Sequence, residues 1–165
     1  GGTPPRCWPL PEVTEMSSGN VIDNGTWQLQ SIGVPHAQPQ LNSLGFRINS
    51  NEGSVVYSGD SGPSNALARL GEGCDVMIHM CNNLSGSIKL KEHNIGGSGH
   101  LEAANIASKA GAKILVLTHM YGQIDIPGIR ERIVKEISEI YNGIIIMGED
   151  LMDIPLTPPS LAKFQ

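Results

Sequence analysis

The sequence predicts an α/β domain, of the α+β kind, built on one mixed β-sheet with flanking helices. Two observations predict it. Segments 25–32 and 44–48 alternate apolar and polar residues, which is typical of half-buried antiparallel strands. From residue 60 onwards, short apolar runs alternate with helical stretches, which is typical of β-α-β units. With 165 residues, the chain is long enough for one domain with a core of its own.

The elements follow in order along the chain. Asn51, Glu52 and Gly53 form a turn signal, so residues 54–57 should return beside 44–48 as a hairpin. The Pro/Gly/Ser-rich residues 1–20 are expected to form an extended arm, and residues 21–165 the domain. Further strands are predicted at 75–79, 113–118 and 143–147 with a last short one at 150–154, and helices at 64–70, 101–110 and 127–141.

Charge and composition limit the classes of partner. The formal net charge is −5, which argues against a protein that is held to nucleic acid mainly by bulk charge but leaves room for a local basic patch. Aromatic residues make up 4% of the chain, so base-stacking platforms are not expected. No stretch approaches the roughly 18 apolar residues that a membrane span needs.

The three cysteines, Cys7, Cys74 and Cys81, have neither zinc-site CxxC spacing nor the even count of a disulfide framework. We expect Cys74, at the start of an apolar strand, to be a buried thiol. The odd count favours a reducing compartment, so we expect a cytoplasmic protein. The chain opens with Gly1 and Gly2 instead of Met, which predicts either the interior of a longer polypeptide or a processed end.

Two apolar runs each end in a side chain that can bind a metal ion. Asp60 follows 55–58, and His119 follows 115–118. In α/β sheets, active sites lie at the carboxyl ends of the strands. Asp60 is therefore either a ligand or a helix N-cap, and the flanking Gly59 and Gly62 favour the ligand. His119 is either a ligand or a satisfied strand-end residue.

Other histidines are candidates for the same site. His100 opens a helix and is either a general acid or oxyanion-binding group, or a tolerated first-turn residue. His36 follows a strand and could line the site. His79 also ends a strand, but Met80 and Cys81 after it are expected to be packing residues.

In this order, these landmarks resemble the second half of a metallo-β-lactamase-fold hydrolase, nearest to the branch that holds ribonuclease Z and the arylsulfatase-like hydrolases. The resemblance spans roughly residues 20–155 and implies that this chain forms the second, carboxyl-terminal half of an αββα sandwich. The similar segments are 34–36, 44–48, 54–60, 70–79, 99–104, 112–119 and 149–152.

The resemblance also implies roles for single residues. Asp60 matches the aspartate that bridges two metal ions, and His119 matches the late histidine that binds the second ion. His100 matches the histidine that faces the scissile group, which makes it catalytic together with Asp60. His36 matches a histidine near the site, and with His100 it is expected to bind substrate. The implied cofactors are two divalent ions, zinc by preference, that hold a hydroxide nucleophile.

The chain departs from the family pattern in three places. The family's first half carries a His-x-His-x-Asp-His cluster and a further histidine ligand, and neither occurs in these 165 residues. Met80 stands where relatives often have Glu. The helix begins with His100 and Leu101, where many ribonuclease Z proteins have His-Ser-Thr.

Two functions from different classes follow. The chain is either part of a dinuclear metallohydrolase of an ester, phosphodiester or sulfate ester, or a non-catalytic half-domain that serves binding or assembly. For the hydrolase we expect a small-molecule ester or phosphodiester, because the charge does not favour nucleic acid. Either kind of chain would expose an apolar face, so we expect a homodimer or association with a missing amino-terminal half.

Overall fold

A computed structural model describes residues 11–36, 40–87, 95–122, 124 and 126–156. Within these residues one sheet has the strand order β1-β2-β3-β4-β5-β6-β7, antiparallel from β1 to β4 and parallel from β4 to β7. The predicted mixed sheet with flanking helices is therefore confirmed. The strands are β1 (Val21–Asp23), β2 (Trp27–Gly33), β3 (Leu44–Ser50), β4 (Gly53–Tyr57), β5 (Val76–Met80), β6 (Ile114–Thr118) and β7 (Ile144–Met147); the helices are α1 (Asn65–Leu70), α2 (His100–Ala110) and α3 (Ile129–Ser138).

Two elements differ from the prediction. Strand β1 is an addition that pairs with β2, and residues just before it bond to β2 as well, since the Gly19 N–H donates to the Ser31 carbonyl at 2.9 Å. The short strand predicted at 150–154 is wrong. There Leu151 has a φ of 63° and the Met152 N–H bonds back to the Glu149 carbonyl, so the chain turns instead of extending. Of the arm proposed for residues 1–20, the first ten lie outside the described residues.

Local sequence sets the helix ends. The Ser64 hydroxyl caps α1 by accepting from the Leu67 N–H at 3.1 Å, so Ser64 and not Asp60 is the N-cap. Helix α2 ends at Ala110, and Gly111 follows as its C-cap with a φ of 63°, which suits a glycine. Helix α3 begins at Ile129, two residues later than Pro127, because Gly128 has a φ of 86° and cannot be part of the helix.

The three helices cover one face of the sheet. Strand residues such as Val56, Met77 and Leu115 point to this face and are buried, and they belong to the same apolar cluster as Ala103 of α2 and Ile133 of α3. Burial of such side chains stabilises a fold by about 25 cal/mol per Å² of apolar area. The predicted burial of the Cys74 thiol is confirmed, and burial raises the pKa of this thiol to about 11.

The opposite face of the sheet carries a second apolar row. The register places Ile48, Val55, Val76 and Ile114 side by side, so all four point to this face. Val76 and Ile114 are buried in a smaller cluster that includes Ile154. Ile48, however, is 45% exposed. No helix lies against this cluster in the described part of the chain, which matches the form expected for half of a sandwich.

Candidate metal and active site

Asp60 and His119 lie together at the carboxyl edge of the parallel strands. Asp60 is three residues past the end of β4, and His119 follows β6 directly. Asp60 Oδ1 is 3.5 Å from His119 Nε2, and the two side chains are 48% and 39% exposed. The two residues that the sequence analysis singled out are therefore neighbours, with their donor atoms facing each other and open to solvent.

The loop that carries Asp60 is held in place by hydrogen bonds from the backbone N–H groups of two buried serines to β5. The Ser58 N–H donates to the Ile78 carbonyl at 3.0 Å, and the Ser61 N–H donates to the Met80 sulfur at 2.7 Å. Gly59 has a φ of 58°, and a Cβ there would lie 2.5 Å from a carbonyl oxygen of β3. A glycine is required at that position, which fixes the direction in which Asp60 leaves the strand.

His36 and Gly62 lie on the other flank of this loop. The Gly62 N–H donates to the Pro35 carbonyl at 2.8 Å. His36 Nδ1 is 2.8 Å from the Gly96 carbonyl oxygen, which can only accept, so Nδ1 carries the proton in this bond. This leaves Nε2 of a neutral His36 as an acceptor. His36 thus lies beside the Asp60 loop, and within the described residues its ring bonds to Gly96 and not to Asp60 or His119.

His119 has an unusual backbone conformation. Its φ is 59°, a value that non-glycine residues adopt infrequently and often at functional positions. The turn ends β6 abruptly and aims the imidazole towards Asp60. The ring of Tyr121 packs against this imidazole in a T-shaped arrangement, with centroids 5.7 Å apart and an interplanar angle of 88°.

A cavity of about 460 Å³ opens beside His119. Arg130 projects into it from the first turn of α3 and donates to Glu149 Oε1 at 3.1 Å. The pair is partly exposed, so its contribution to stability is small. The lining residues are Thr118, His119, Met120, Arg130, Gly148, Glu149 and Asp150.

His100 is deeply buried and both of its ring nitrogens are bonded. The Ser85 N–H donates to Nδ1 at 3.2 Å, so a neutral ring carries its proton on Nε2, which is 2.6 Å from a Glu136 carboxylate oxygen. Arg132 Nε donates to the other oxygen of Glu136 at 2.6 Å, and Arg132 first, then His100, lowers the pKa of Glu136. These contacts tie the start of α2 to α3. Within the described residues, His100 has no hydrogen bond to Asp60 or His119.

His79 is a buried histidine on the helix-covered face. Its Nδ1–H donates to the Met80 carbonyl at 2.9 Å, while Nε2 has no hydrogen-bond partner and no solvent contact. Burial lowers the pKa of His79 to about 4. His79 is therefore part of the packed core. Because its Nε2 has no hydrogen-bond partner, this packing depends on a neutral ring.

The chemistry of the two facing side chains suits a divalent metal ion. Two ligands at about 2.1 Å from a tetrahedral ion lie roughly 3.4 Å apart, close to the separation of Asp60 Oδ1 and His119 Nε2, 3.5 Å. A catalytic zinc ion normally takes three protein ligands. Within the described residues there is no group of three or more His, Cys, Asp or Glu side chains that could hold an ion. These two side chains therefore fit part of a metal site and do not complete one.

The partners of these residues were not predicted from the sequence. Glu136 is 36 positions from His100 on another helix. Arg130 and Glu149 pair across 19 positions. A charged residue on the amphipathic helix α3 is typical of a solvated surface position. The local sequence therefore does not predict the pairing of Glu136 with His100 or of Arg130 with Glu149.

Comparison with known proteins identifies the family. Residues 6–120 match the model of the beta-lactamase superfamily domain. Among solved structures, the metallo-beta-lactamase fold protein YhfI from Bacillus subtilis aligns with a TM-score of 0.68 and 23% identity, over 81% of this chain and 52% of that one. Zn²⁺-bound PqqB from Methylobacterium extorquens aligns with a TM-score of 0.62 and 11% identity, over 84% and 55%. The chain belongs to the metallo-β-lactamase-fold superfamily.

Within the superfamily, the relatives point to one branch. The chain is 30% identical over 161 residues to ribonuclease Z of Mycobacterium tuberculosis strain H37Rv, covering 94% of this chain and 57% of that protein. The short form of human tRNase Z aligns with a TM-score of 0.60 and 23% identity, over 83% and 45%. The chain lies on the ribonuclease Z branch. It spans 55% to 69% of the length of the curated relatives that it matches.

No helix in the described residues is both long and apolar enough to cross a membrane.

Proposed function

We propose that this chain supplies part of a dinuclear metal site in a hydrolase that cleaves a phosphodiester bond in RNA. The facing pair of Asp60 and His119, 3.5 Å apart at the carboxyl edge of the sheet, is the observation that carries the proposal. In the complete protein, the remaining ligands come from the His-x-His-x-Asp-His cluster that the family's first half contains. The relatives named ribonuclease Z favour nucleic acid over the small-molecule ester that the charge had suggested.

Each residue has a proposed part. The two oxygens of Asp60 would bind two ions, and His119 Nε2 would bind one of them; zinc suits this donor set. When bound, the ions supply positive charge that acidifies water and stabilises charge on substrate oxygens. His36, on the flank of the Asp60 loop, offers Nε2 as an acceptor towards substrate.

The proposed role of His100 is to act on the scissile group. Its Nε2–H now donates to Glu136, so it reaches a substrate oxygen only by exchanging that bond. Hydrogen bonds in a free active site often rearrange when substrate binds. We expect His100→Ala to slow turnover while the metal content stays unchanged.

The test uses the full-length protein with and without Asp60→Ala. We expect at least about a 10²-fold loss of activity and a loss of bound metal, because the variant removes a metal-site carboxylate. Asp153→Ala is the matched control, since Asp153 is an exposed carboxylate after β7. The assay compares a transfer RNA precursor, a simple phosphodiester, a sulfate ester and a β-lactam. Wild-type turnover and metal content in Asp60→Ala would contradict the assignment.

A non-catalytic binding module is the second candidate, favoured by the two-ligand set and by the partly exposed apolar face of the sheet. A full-length protein that binds no metal and cleaves none of the four substrates would establish it in place of the hydrolase.

A further inference from the structure

Tyr121 is an exposed aromatic residue in contact with the candidate metal ligand. Its side chain is 52% exposed, and its ring lies 5.7 Å from the His119 ring, centroid to centroid. In a T-shaped pair, one ring presents its edge and the other presents one face. At least one face of the Tyr121 ring is therefore not covered by His119, and about half of the residue is open to solvent.

The position is unusual in a chain with only 4% aromatic residues. Of the other aromatic residues that the structure describes, Trp27, Phe46 and Tyr57 are on strands β2 to β4, and Tyr141 is buried. Of these described aromatic residues, Tyr121 is the one whose ring pairs with the ring of a candidate site residue. The positive φ of His119 turns the chain sharply, which places Tyr121 outside the core.

We propose that Tyr121 is a substrate-positioning residue that stacks on the base of a nucleotide adjoining the scissile phosphodiester. The inference rests on the proposed function, because it assumes that Asp60 and His119 mark the place where the phosphodiester reacts. A base beside that phosphate would meet the free face of the ring. Stacking is sequence-tolerant, because every base has a flat π-face.

The net negative charge of the chain explains why a local stacking contact would help it to bind RNA. A net charge of −5 works against non-specific attraction of a polyanion, so affinity has to come from local contacts. Stacking on an aromatic ring is a local contact that does not depend on counterion release. The low aromatic content argued against a platform of several rings, whereas a single ring at the reacting group needs only one residue.

The experiment measures kcat and KM of the full-length, metal-loaded protein on two RNA substrates. The substrates are identical except that one lacks the base at a nucleotide adjoining the cleavage site, with each side tested in turn. Tyr121→Leu keeps an apolar side chain but removes the ring, and Tyr121→Phe keeps the ring. Ile126→Ala is the matched control, because it removes another exposed apolar side chain, 46% exposed, from the segment between β6 and α3.

We expect Tyr121→Leu to raise KM on the complete RNA roughly 5- to 150-fold, the range for loss of one base–aromatic stack, with a smaller change in kcat. The RNA that lacks the adjoining base should raise the KM of the wild-type protein by a similar factor. It should not raise the KM of Tyr121→Leu any further. Tyr121→Phe and Ile126→Ala should behave like the wild type.

Four results would overturn the inference. An unchanged KM in Tyr121→Leu, or an equal loss on substrates with and without the base, would exclude stacking. A loss of bound metal in Tyr121→Leu would show that the ring holds His119 in position instead. If the wild-type protein binds metal but cleaves no RNA, the proposed function itself fails, and the role of Tyr121 falls with it.

Discussion

His79 should make the fold sensitive to acid. The folded protein holds the imidazole neutral, with a pKa of about 4 against 6.5 for an exposed histidine, because the ring is buried and its Nε2 has no partner. When the pH falls below about 6.5, the unfolded chain takes up a proton that the folded chain does not. The stability supplied by the neutral ring is therefore fully present above that pH and is lost as the pH falls towards 4.

The size of the effect follows from the two pKa values. A difference of 2.5 units, 6.5 minus 4, corresponds to about 3 kcal/mol, with about 1 kcal/mol lost by pH 5.5. This is a large fraction of the 5–15 kcal/mol that is typical of a domain. The ring has no exposed atoms, so solvent screening does not reduce the figure.

The assay is urea unfolding at pH 7.0, 5.5 and 4.0. It compares the wild type with His79→Leu, which replaces the imidazole with an apolar side chain of similar size that does not titrate. The difference in unfolding free energy between the two should change by about 3 kcal/mol across this range in favour of the variant. His79→Gln is the control, because it is polar but does not titrate and should follow His79→Leu. A difference that stays constant with pH would refute the account of His79.

Three further substitutions test how the scaffold is held. Asp75→Ala should cost about 1–2 kcal/mol of unfolding free energy, because Asp75 Oδ2 accepts both the N–H and the hydroxyl of Ser54, at 2.7 and 3.0 Å; a loss under about 0.3 kcal/mol would contradict this. Gly59→Ala should destabilise more than Gly73→Ala in urea, since both have a positive φ but only Gly59 faces a carbonyl oxygen, and equal costs would argue against the fit of the Asp60 loop. Tyr141→Phe should cost about 1 kcal/mol by losing a buried hydrogen bond to the Ala112 carbonyl, and an unchanged midpoint would show that bond to be neutral.

The order of the elements was predictable because periodicity and turn residues are local signals. The alternation in 25–32 and 44–48 and the turn at 51–53 predicted the hairpin strands that the structure contains. Strand β1 is only three residues long, too short to show a period, and no strand was predicted there. Residues 150–154 have the composition of a strand but no partner in the sheet, and composition alone does not supply one.

Long-range geometry accounts for what the sequence did not predict in the site. The strand-end rule was enough to single out Asp60 and His119, because parallel strands bring their carboxyl ends to one edge. The bond from His100 to Glu136 depends on how α2 packs against α3, and no local pattern encodes that packing. The unpaired nitrogen of His79 likewise depends on every side chain around it.

The most direct test of the central claim is a metal-edge anomalous difference map from crystals of the full-length protein grown with zinc. The account predicts two peaks, one of them within about 2.0–2.2 Å of both an Asp60 oxygen and His119 Nε2 and the other bound to the second oxygen of Asp60. Peaks that lie away from these two side chains, or no ordered metal at this edge of the sheet, would contradict it.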